Sequence, residues 1–429
     1  MGKEVIRVGF LGMGNVGCGT VKVLTENQDR ILQLTGSRVV VKRIAVAHLT
    51  KKRPEWVDRS MLTDDPAQVL DDPEIDIVAE TIGGLQPAKE FMLHAIRNGK
   101  SVVTANKELL AKEGHELLIS AARKPVDFLF EGAVAGGIPI IRPLKIDLAG
   151  NRINSIIGIV NGTTNYILTK MAREGSDFAE TLAEAQKLGY AEVDPTDDVE
   201  GYDAAYKLAI LSAIAFQSRV PISGVFHEGI RRIGKVDIEY AKGLGYTIKL
   251  LAIAKLHGDA MELRVHPAMV HDRHPLASVN DVYNAVFLHG DAVGDVMFYG
   301  RGAGMMPTGS AVAGDIIDIC RNINHQSLGR ISCTCFEDHR LIPIGEVVSK
   351  YYVRMQVIDR PKVLSNTARV FGEHNVSIAS VVQRETTQGD AEIVWVTHPA
   401  REMDVRAALE EMTRLEVVHS ISNLIRVED

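Results

Sequence analysis

At 429 residues, with 46% hydrophobic and 24% charged side chains, the chain has the make-up of a soluble globular protein of two or three domains. A formal net charge of −7 argues against a protein built to coat nucleic acid, and no apolar run reaches membrane-spanning length. Four cysteines do not make a disulfide framework, and the chain enters its first strand without a signal-peptide pattern, so a cytoplasmic location is expected.

Residues 5–11 form a short apolar run that predicts a first strand, and Gly12-Met13-Gly14-Asn15-Val16-Gly17 follows at once. A helical pattern then extends over 18–34. Strand, G-x-G-x-x-G turn and helix in this order point to a dinucleotide site. Gly12 permits the tight turn, Gly14 lets the backbone approach a pyrophosphate, and Gly17 lets helix and strand pack closely. Free N–H groups and the positive dipole end of the helix would face the phosphates. A second strand is expected over 39–46. The acidic residue that grips an NAD ribose after such a strand is missing, because the chain continues Ala47-His48-Leu49-Thr50-Lys51-Lys52-Arg53. Lys51, Lys52 and Arg53 could meet a 2′-phosphate, which favours NADP or mixed NADP and NAD use; a solvated basic loop is the other reading.

Strands are expected over 75–81, 101–103 and 126–130, and helices over 87–98 and 108–123. This alternation predicts an α/β fold with a doubly wound, Rossmann-type parallel sheet over residues 1–145. The 101–103 strand ends in Thr104-Ala105-Asn106-Lys107, at the carboxyl edge where open α/β sheets bind ligands.

The pattern then changes to a mixed α+β domain over 146–300. A strand over 153–160 runs into Asn161-Gly162-Thr163-Thr164-Asn165, which opens a helix; a second helix over 177–188 closes on Gly189. A carboxylate-rich loop, 190–198, includes Tyr190, Glu192 and Asp198 and is not expected to be helical. A long apolar helix over 200–216 carries Asp203 and Lys207 four residues apart on one face, either a site or a plain helix ion pair. Strands follow over 246–256, 262–267, 281–291 and 296–299. Arg301-Gly302-Ala303-Gly304 leads into a helix that returns the chain to the first domain over 301–320. Residues 321–349 form an irregular connection, with Cys333 and Cys335 on a strand and read as structural. Residues 350–429 follow the β-α-β-β-α-β order of a ferredoxin-like module.

Taken together, Gly12 to Gly17, Thr104 to Lys107, Asn161 to Asn165, Gly189-Tyr190-Ala191-Glu192 with Asp194-Pro195 and Asp197-Asp198, and Gly201-Tyr202-Asp203 with Lys207 closely resemble homoserine dehydrogenases. The resemblance spans essentially the whole chain, and the last module resembles an ACT-type regulatory domain. It implies reversible reduction of L-aspartate 4-semialdehyde to L-homoserine by NADPH or NADH, on the route to threonine, methionine and isoleucine. Lys207 matches the family's proton donor to the carbonyl oxygen, and Lys107 the lysine beside nicotinamide and substrate. Glu192, Asp203 and Asp198, with Gly162, Thr163 and Tyr190, are expected at the substrate. Phe10, Gly12, Gly14, Asn15, Val16, Gly17, Lys51, Lys52, Arg53, Thr104, Lys107, Gly189 and Gly304 are expected at the cofactor. Glu131, Val134, Gly136 and Ile138 resemble a sodium site of one carboxylate and several backbone carbonyls. Threonine is the implied effector of the ACT-like module, although Lys362 stands where glycine is usual and is expected to crowd the turn. The partners expected are thus small molecules and further copies of the chain, as a homodimer or homotetramer.

The chemistry is admissible on its own terms, because hydride addition to an aldehyde creates an alkoxide that needs a proton and a nearby positive charge. Two other readings are a thioester-forming dehydrogenase, which needs a nucleophilic cysteine at the cofactor cleft where only Cys18 is near, and a non-catalytic amino-acid sensor.

Overall fold

Strands and helices alternate through the first 150 residues of the computed structural model, which describes residues 2–331, 333–387 and 389–428. Strands β1 (Val5–Leu11), β2 (Arg38–Ala45), β3 (Leu62–Thr63), β4 (Ile77–Glu80), β5 (Ser101–Thr104) and β6 (Phe128–Leu129) form one parallel sheet in the order β3-β2-β1-β4-β5-β6. This is the doubly wound Rossmann arrangement, with the order reversing beside β1. The chain divides into two compact units, Met1–Asn154 with Tyr206–Ile222 and Tyr283–Asp338, and Ser155–Ala205 with Ser223–Val282 and His339–Asp429.

In the first unit, Ile6, Val8 and Phe10 of β1 are wholly buried against Val312, Ile316 and Ile319 of the Met305–Asn324 helix. That helix also crosses the Asn15–Glu26 helix with almost no gap. A Cβ on Gly19 would lie 1.9 Å from the Met305 carbonyl oxygen, so glycine is required sterically. The second glycine turn therefore does return the chain to this sheet. The helix expected over 18–34 is two helices, Asn15–Glu26 and Gln28–Thr35. Asn27 separates them, its side chain donating back to the Val23 carbonyl at 2.9 Å, which competes with a continuous helix.

The second unit holds β7 (Ile153–Ile159), β8 (Tyr246–His257), β9 (Ala260–His271), β10 (Val348–Ile358), β11 (Ile378–Thr387), β12 (Asp390–Thr397) and β13 (Val418–Glu428). They run in the order β7-β8-β9-β13-β10-β12-β11. The last four make the antiparallel ferredoxin-like sheet, covered by the Val363–Glu373 and Glu402–Met412 helices around Phe371 and Trp395, whose rings meet edge to face at 5.5 Å. β13 also pairs in parallel with β9, Ala268 opposite Arg426, so the ACT-like sheet continues directly into the strands that precede it. No helix among the described residues is long and apolar enough to cross a membrane.

Candidate functional site

At the end of β1, Gly12 takes φ +96°, a conformation that a side chain would strain, and its N–H bonds the Ala45 carbonyl at 2.9 Å. The Asn15–Glu26 helix starts immediately afterwards. Its cap position, Gly14, supplies no side-chain hydrogen bond, and a Cβ there would meet nothing within 4 Å. The first N–H groups of the helix are thus left to a ligand rather than to a serine or aspartate.

A cavity of about 450 Å³ opens on this turn, lined among others by Gly12, Gly14, His48, Lys51, Arg53 and Asp64. That is the size of a small-ligand pocket. The Arg53 guanidinium bonds the carbonyls of His48 at 2.9 Å and Lys51 at 3.0 Å, which folds the basic loop back on itself. Its Nε is buried with no hydrogen-bond partner, an orphan donor that an anion would satisfy. Lys52 is exposed and lies outside the cavity lining, and the Phe10 side chain is wholly buried in the sheet. Asp64 is a carboxylate that the sequence reading missed. It follows β3, which pairs with the end of β2, so sheet pairing brings an acid to the place where the chain after β2 has none.

The carboxyl ends of β4 and β5 are tied by Glu80. Its buried carboxylate accepts from the Ile82 and Gly83 N–H groups at 2.7 and 3.0 Å and from the Thr104 hydroxyl at 2.6 Å. The Thr104 oxygen in turn accepts from the Asn106 N–H at 3.0 Å. Asn106 caps the Lys107–Ala122 helix through the Leu109 N–H at 3.1 Å. A chain of hydrogen bonds from the sheet thus sets the position of Lys107, the first residue of that helix. Glu80 too went unassigned in the sequence; its signal was a carboxylate at the end of a buried strand.

Lys207 lies in the Tyr202–Ala215 helix, where Asp203 and Lys207 are the only charged residues. Both are buried, at 7% and 2% exposure for Lys207 and Asp203. A plain surface ion pair would not be, and removing two charges from water in an apolar helix is costly unless function or partners require it.

In the second unit, Asn161 caps the Gly162–Glu174 helix through the Thr164 N–H at 2.8 Å. Its amide donates to Asp198 at 2.6 Å and to Asp203 at 2.8 Å, which draws the two carboxylates together. The Thr163 hydroxyl donates to the Tyr190 carbonyl at 2.7 Å, and the Tyr190 and Tyr166 rings lie 5.0 Å apart. Gly162, Thr163, Tyr190, Asp198 and Asp203 thereby gather around one helix start. Glu192 is exposed on the adjoining loop, where Gln186 holds its backbone carbonyl at 3.0 Å, and Gly189 turns the chain into that loop at φ +76°. Part of the expected loop is helical after all: Asp194 accepts from the Thr196 N–H at 3.1 Å and hydroxyl at 2.6 Å, and so starts a single turn, Thr196–Val199.

The loop after β6 holds Glu131, Val134, Gly136 and Ile138. The Glu131 carboxylate accepts three N–H groups, from Ile140 at 2.6 Å, Ile141 at 2.9 Å and Arg142 at 2.7 Å, and so closes this loop onto the start of the Ile141–Lys145 helix. Desolvation raises its pKa, and those three N–H bonds oppose the rise. Gly304 caps the Met305–Asn324 helix at φ +127°. Among the described residues no three His, Cys, Asp or Glu side chains are gathered as a ligand set. Cys18 is buried in the Asn15–Glu26 helix with its thiol pKa raised by desolvation, the opposite of a poised nucleophile, so the thioester reading finds no support.

A Rossmann sheet with an open glycine turn at the start of its first helix is the architecture of a nicotinamide-dependent oxidoreductase. The family models for the homoserine dehydrogenase NAD-binding domain, for homoserine dehydrogenase and for the ACT domain match residues 12–131, 139–317 and 351–417. Homoserine dehydrogenase of Synechocystis sp. is 48% identical over 98% of this chain and 99% of its own, and that of Bacillus subtilis is 42% identical over 99% of each. The crystal structure of a homoserine dehydrogenase from Thiobacillus denitrificans, 44% identical, superposes with a TM-score of 0.95 over 100% of this chain and 99% of the other. A hyperthermophilic archaeal homoserine dehydrogenase in complex with NADPH, 26% identical, matches 73% of this chain and 97% of its own, with a TM-score of 0.63. The chain belongs to the homoserine dehydrogenase family, oxidoreductases acting on a CH–OH group, and carries an ACT domain.

Proposed function

We propose that this protein interconverts L-aspartate 4-semialdehyde and L-homoserine, with NADP as the favoured cofactor, in the biosynthesis of threonine, methionine and isoleucine. The observation that carries this reading is the buried Lys207 in an otherwise apolar helix, one turn from an Asp203 that Asn161 joins to Asp198. Bound nicotinamide supplies or removes the hydride at the carbonyl carbon. Lys207 gives its proton to the oxygen as negative charge develops there, and Lys107 adds a second positive charge. Asp203, Asp198 and Glu192 hold the substrate ammonium, and Gly162, Thr163 and Tyr190 shape the pocket around it. The helix start at Gly14 to Gly17 takes the pyrophosphate, and the orphan Arg53 Nε with Lys51 takes the 2′-phosphate.

A monovalent cation at the loop after β6 would be held by the backbone carbonyls of Glu131, Val134, Gly136 and Ile138, because the Glu131 carboxylate already takes three N–H groups. Threonine is the proposed effector of the ACT domain. Lys362 adopts the left-handed conformation at φ 76°, so the turn keeps the shape that glycine would give it. The expected assembly is a homodimer or homotetramer in the cytoplasm, and a light-scattering mass decides between the two.

The test is a spectrophotometric assay of the purified protein with L-homoserine and NADP, and separately NAD. Reduced nicotinamide should appear with both, with the higher kcat/KM for NADP. No turnover with either cofactor, alongside threonine binding, would establish the sensor reading instead.

A further inference from the structure

Cys333 and Cys335 were expected on a strand, and they are not on one. The Phe336 N–H bonds the Thr334 carbonyl at 3.0 Å, which makes a tight turn centred on Cys335. The two cysteines, two residues apart, face the same small cavity. The segment is anchored just beyond it, where the Glu337 N–H bonds the Gln217 carbonyl at 2.8 Å and Ser218 bridges Glu337. The pair therefore docks beside the end of the Tyr202–Ala215 helix, within the first unit. It lines a small cavity with Leu110 and Leu118 of the Lys107–Ala122 helix, and with Ile210 and Ile214 of the Tyr202–Ala215 helix. Lys145 closes the same cavity, its ammonium 4.9 Å from the centre of the Phe130 ring. Both cysteines are half-buried, whereas Cys18 and Cys320 are buried.

The charges around the pair favour a thiolate on one sulfur. The Cys333 thiol is pulled down to about 5, first by the Cys335 thiol that donates to it, with Lys145 and His115 adding positive charge and burial opposing. The Cys335 thiol is pushed up, because its proton is shared with Cys333, with Lys145 and Arg219 opposing. One sulfur attacks and the other waits protonated to resolve, which is the division of labour of a reactive dithiol. Two residues apart, the Cα atoms are at most about 7 Å from each other, within the reach of a disulfide.

We propose that Cys333 and Cys335 form a reversible dithiol–disulfide site whose oxidant is the disulfide of a small thiol. The Cys333 thiolate attacks one sulfur of that disulfide, forms a mixed disulfide and expels one small thiolate. Cys335 then loses its proton and attacks the Cys333 sulfur, expelling the second. The pair gives up two electrons and its protons, and the small disulfide becomes two thiols. The site is separate from the hydride-transfer residues, and neither cysteine is placed in that machinery.

The experiment treats the full-length native protein with oxidised glutathione, then alkylates and measures intact mass and peptides. The expected result is a loss of two hydrogens confined to the peptide containing both cysteines, reversed by dithiothreitol, with Cys18 and Cys320 reduced throughout. In Cys335→Ser the glutathionyl adduct should accumulate on Cys333; in Cys333→Ser no disulfide should form. Alkylation of Cys333 in the untreated protein should proceed as fast at pH 6.5 as at pH 8.5. Circular dichroism of both variants, unchanged from the parent, excludes misfolding as the cause. Four thiols that all remain alkylatable after glutathione disulfide, or a Cys333 whose reactivity rises steeply towards pH 8.5 as a free cysteine's does, would overturn the proposal.

Discussion

The cavity at the glycine turn and the seam between β9 and β13 both gather charged side chains beside strands, and they treat them in opposite ways. At the seam each of the two buried arginines faces two carboxylates. The wholly buried Arg426 meets Glu402 at 2.5 and 2.7 Å and Glu228 at 3.1 Å, and Arg264 meets Glu262 and Glu428 at 2.6 Å each. His266 sits between these arginines and stays neutral, its pKa held far down by burial and then by their charge. It accepts from Arg264 at Nε2 and donates from Nδ1 to the Pro267 carbonyl. Around the cavity, by contrast, the helix start is uncapped, the Arg53 Nε has no partner, and Asp64 is exposed. A saturated network holds sheets together, whereas an unsaturated one is a place for a ligand.

The largest stability loss should come from breaking the seam. Arg426→Met leaves Glu228 without its guanidinium and the buried Glu402 with Arg406 alone, and urea denaturation should show a loss of about 3–5 kcal/mol. A loss under about 1 kcal/mol would mean that the seam is not what joins β13 to β9.

At the cavity, Arg53→Ala should leave stability nearly unchanged. It should raise the KM for NADP about tenfold to a hundredfold, the effect of hydrogen bonds to a charged group worth about 1.5–3 kcal/mol, while the KM for NAD moves little. Equal effects on both cofactors would assign Arg53 to folding the loop. Asp64→Ala sharpens the contrast, since it should weaken NAD selectively by removing the acceptor for ribose hydroxyls.

Lys249 provides a pH test of the saturated kind. It is buried, donates to Asn165 at 3.1 Å and Asn280 at 3.2 Å, and its ammonium is pulled down to about 8 from 10.5 by burial, then by Arg173. Between those values the unfolded chain binds a proton that the folded one does not, so this group's contribution to stability rises with pH from about 8 to 10.5. The rise is on the order of 3 kcal/mol, and it is absent below pH 8, where both states are protonated. The stability difference between the parent and Lys249→Met, followed by denaturation from pH 7 to 10.5, should change by that amount and in that direction. A flat difference would refute it.

The smallest effect is expected at Lys362. It occupies the left-handed region at φ 76°, where a side chain costs about 1–2 kcal/mol, so Lys362→Gly should raise stability by about 1 kcal/mol. The sequence reading expected lysine to distort this turn. Instead the turn imposes its conformation on the lysine.

Local pattern made most of the nucleotide sheet legible, because five of its six strands announce themselves within a dozen residues; the two-residue β3 and the break at Asn27 did not. The β-α-β-β-α-β order of the last module was legible for the same reason. Pairing between distant strands was not. The union of β9 with β13 joins Ala268 to Arg426, and nothing local at either position specifies the other. Asp64 reached the cavity in the same way, through the pairing of β3 with β2. The glycine turn and the strand end at Lys107 could be named from sequence. Glu80 and Asn161, which hold Thr104 and the two aspartates in place, could not be given a role, since a carboxylate or amide acquires one only when its partners are fixed. Cys333 and Cys335 looked structural for want of a third ligand, and the turn between them was invisible.

The central claim is that Lys207 delivers the proton during hydride transfer. The most direct measurement compares Lys207→Ala with the parent, reading turnover of homoserine with NADP and, separately, NADP affinity by fluorescence titration. Turnover should fall by about 10²–10⁴-fold with affinity changed less than about threefold. Retention of more than about a tenth of the parent rate, with cofactor affinity intact, would contradict the assignment.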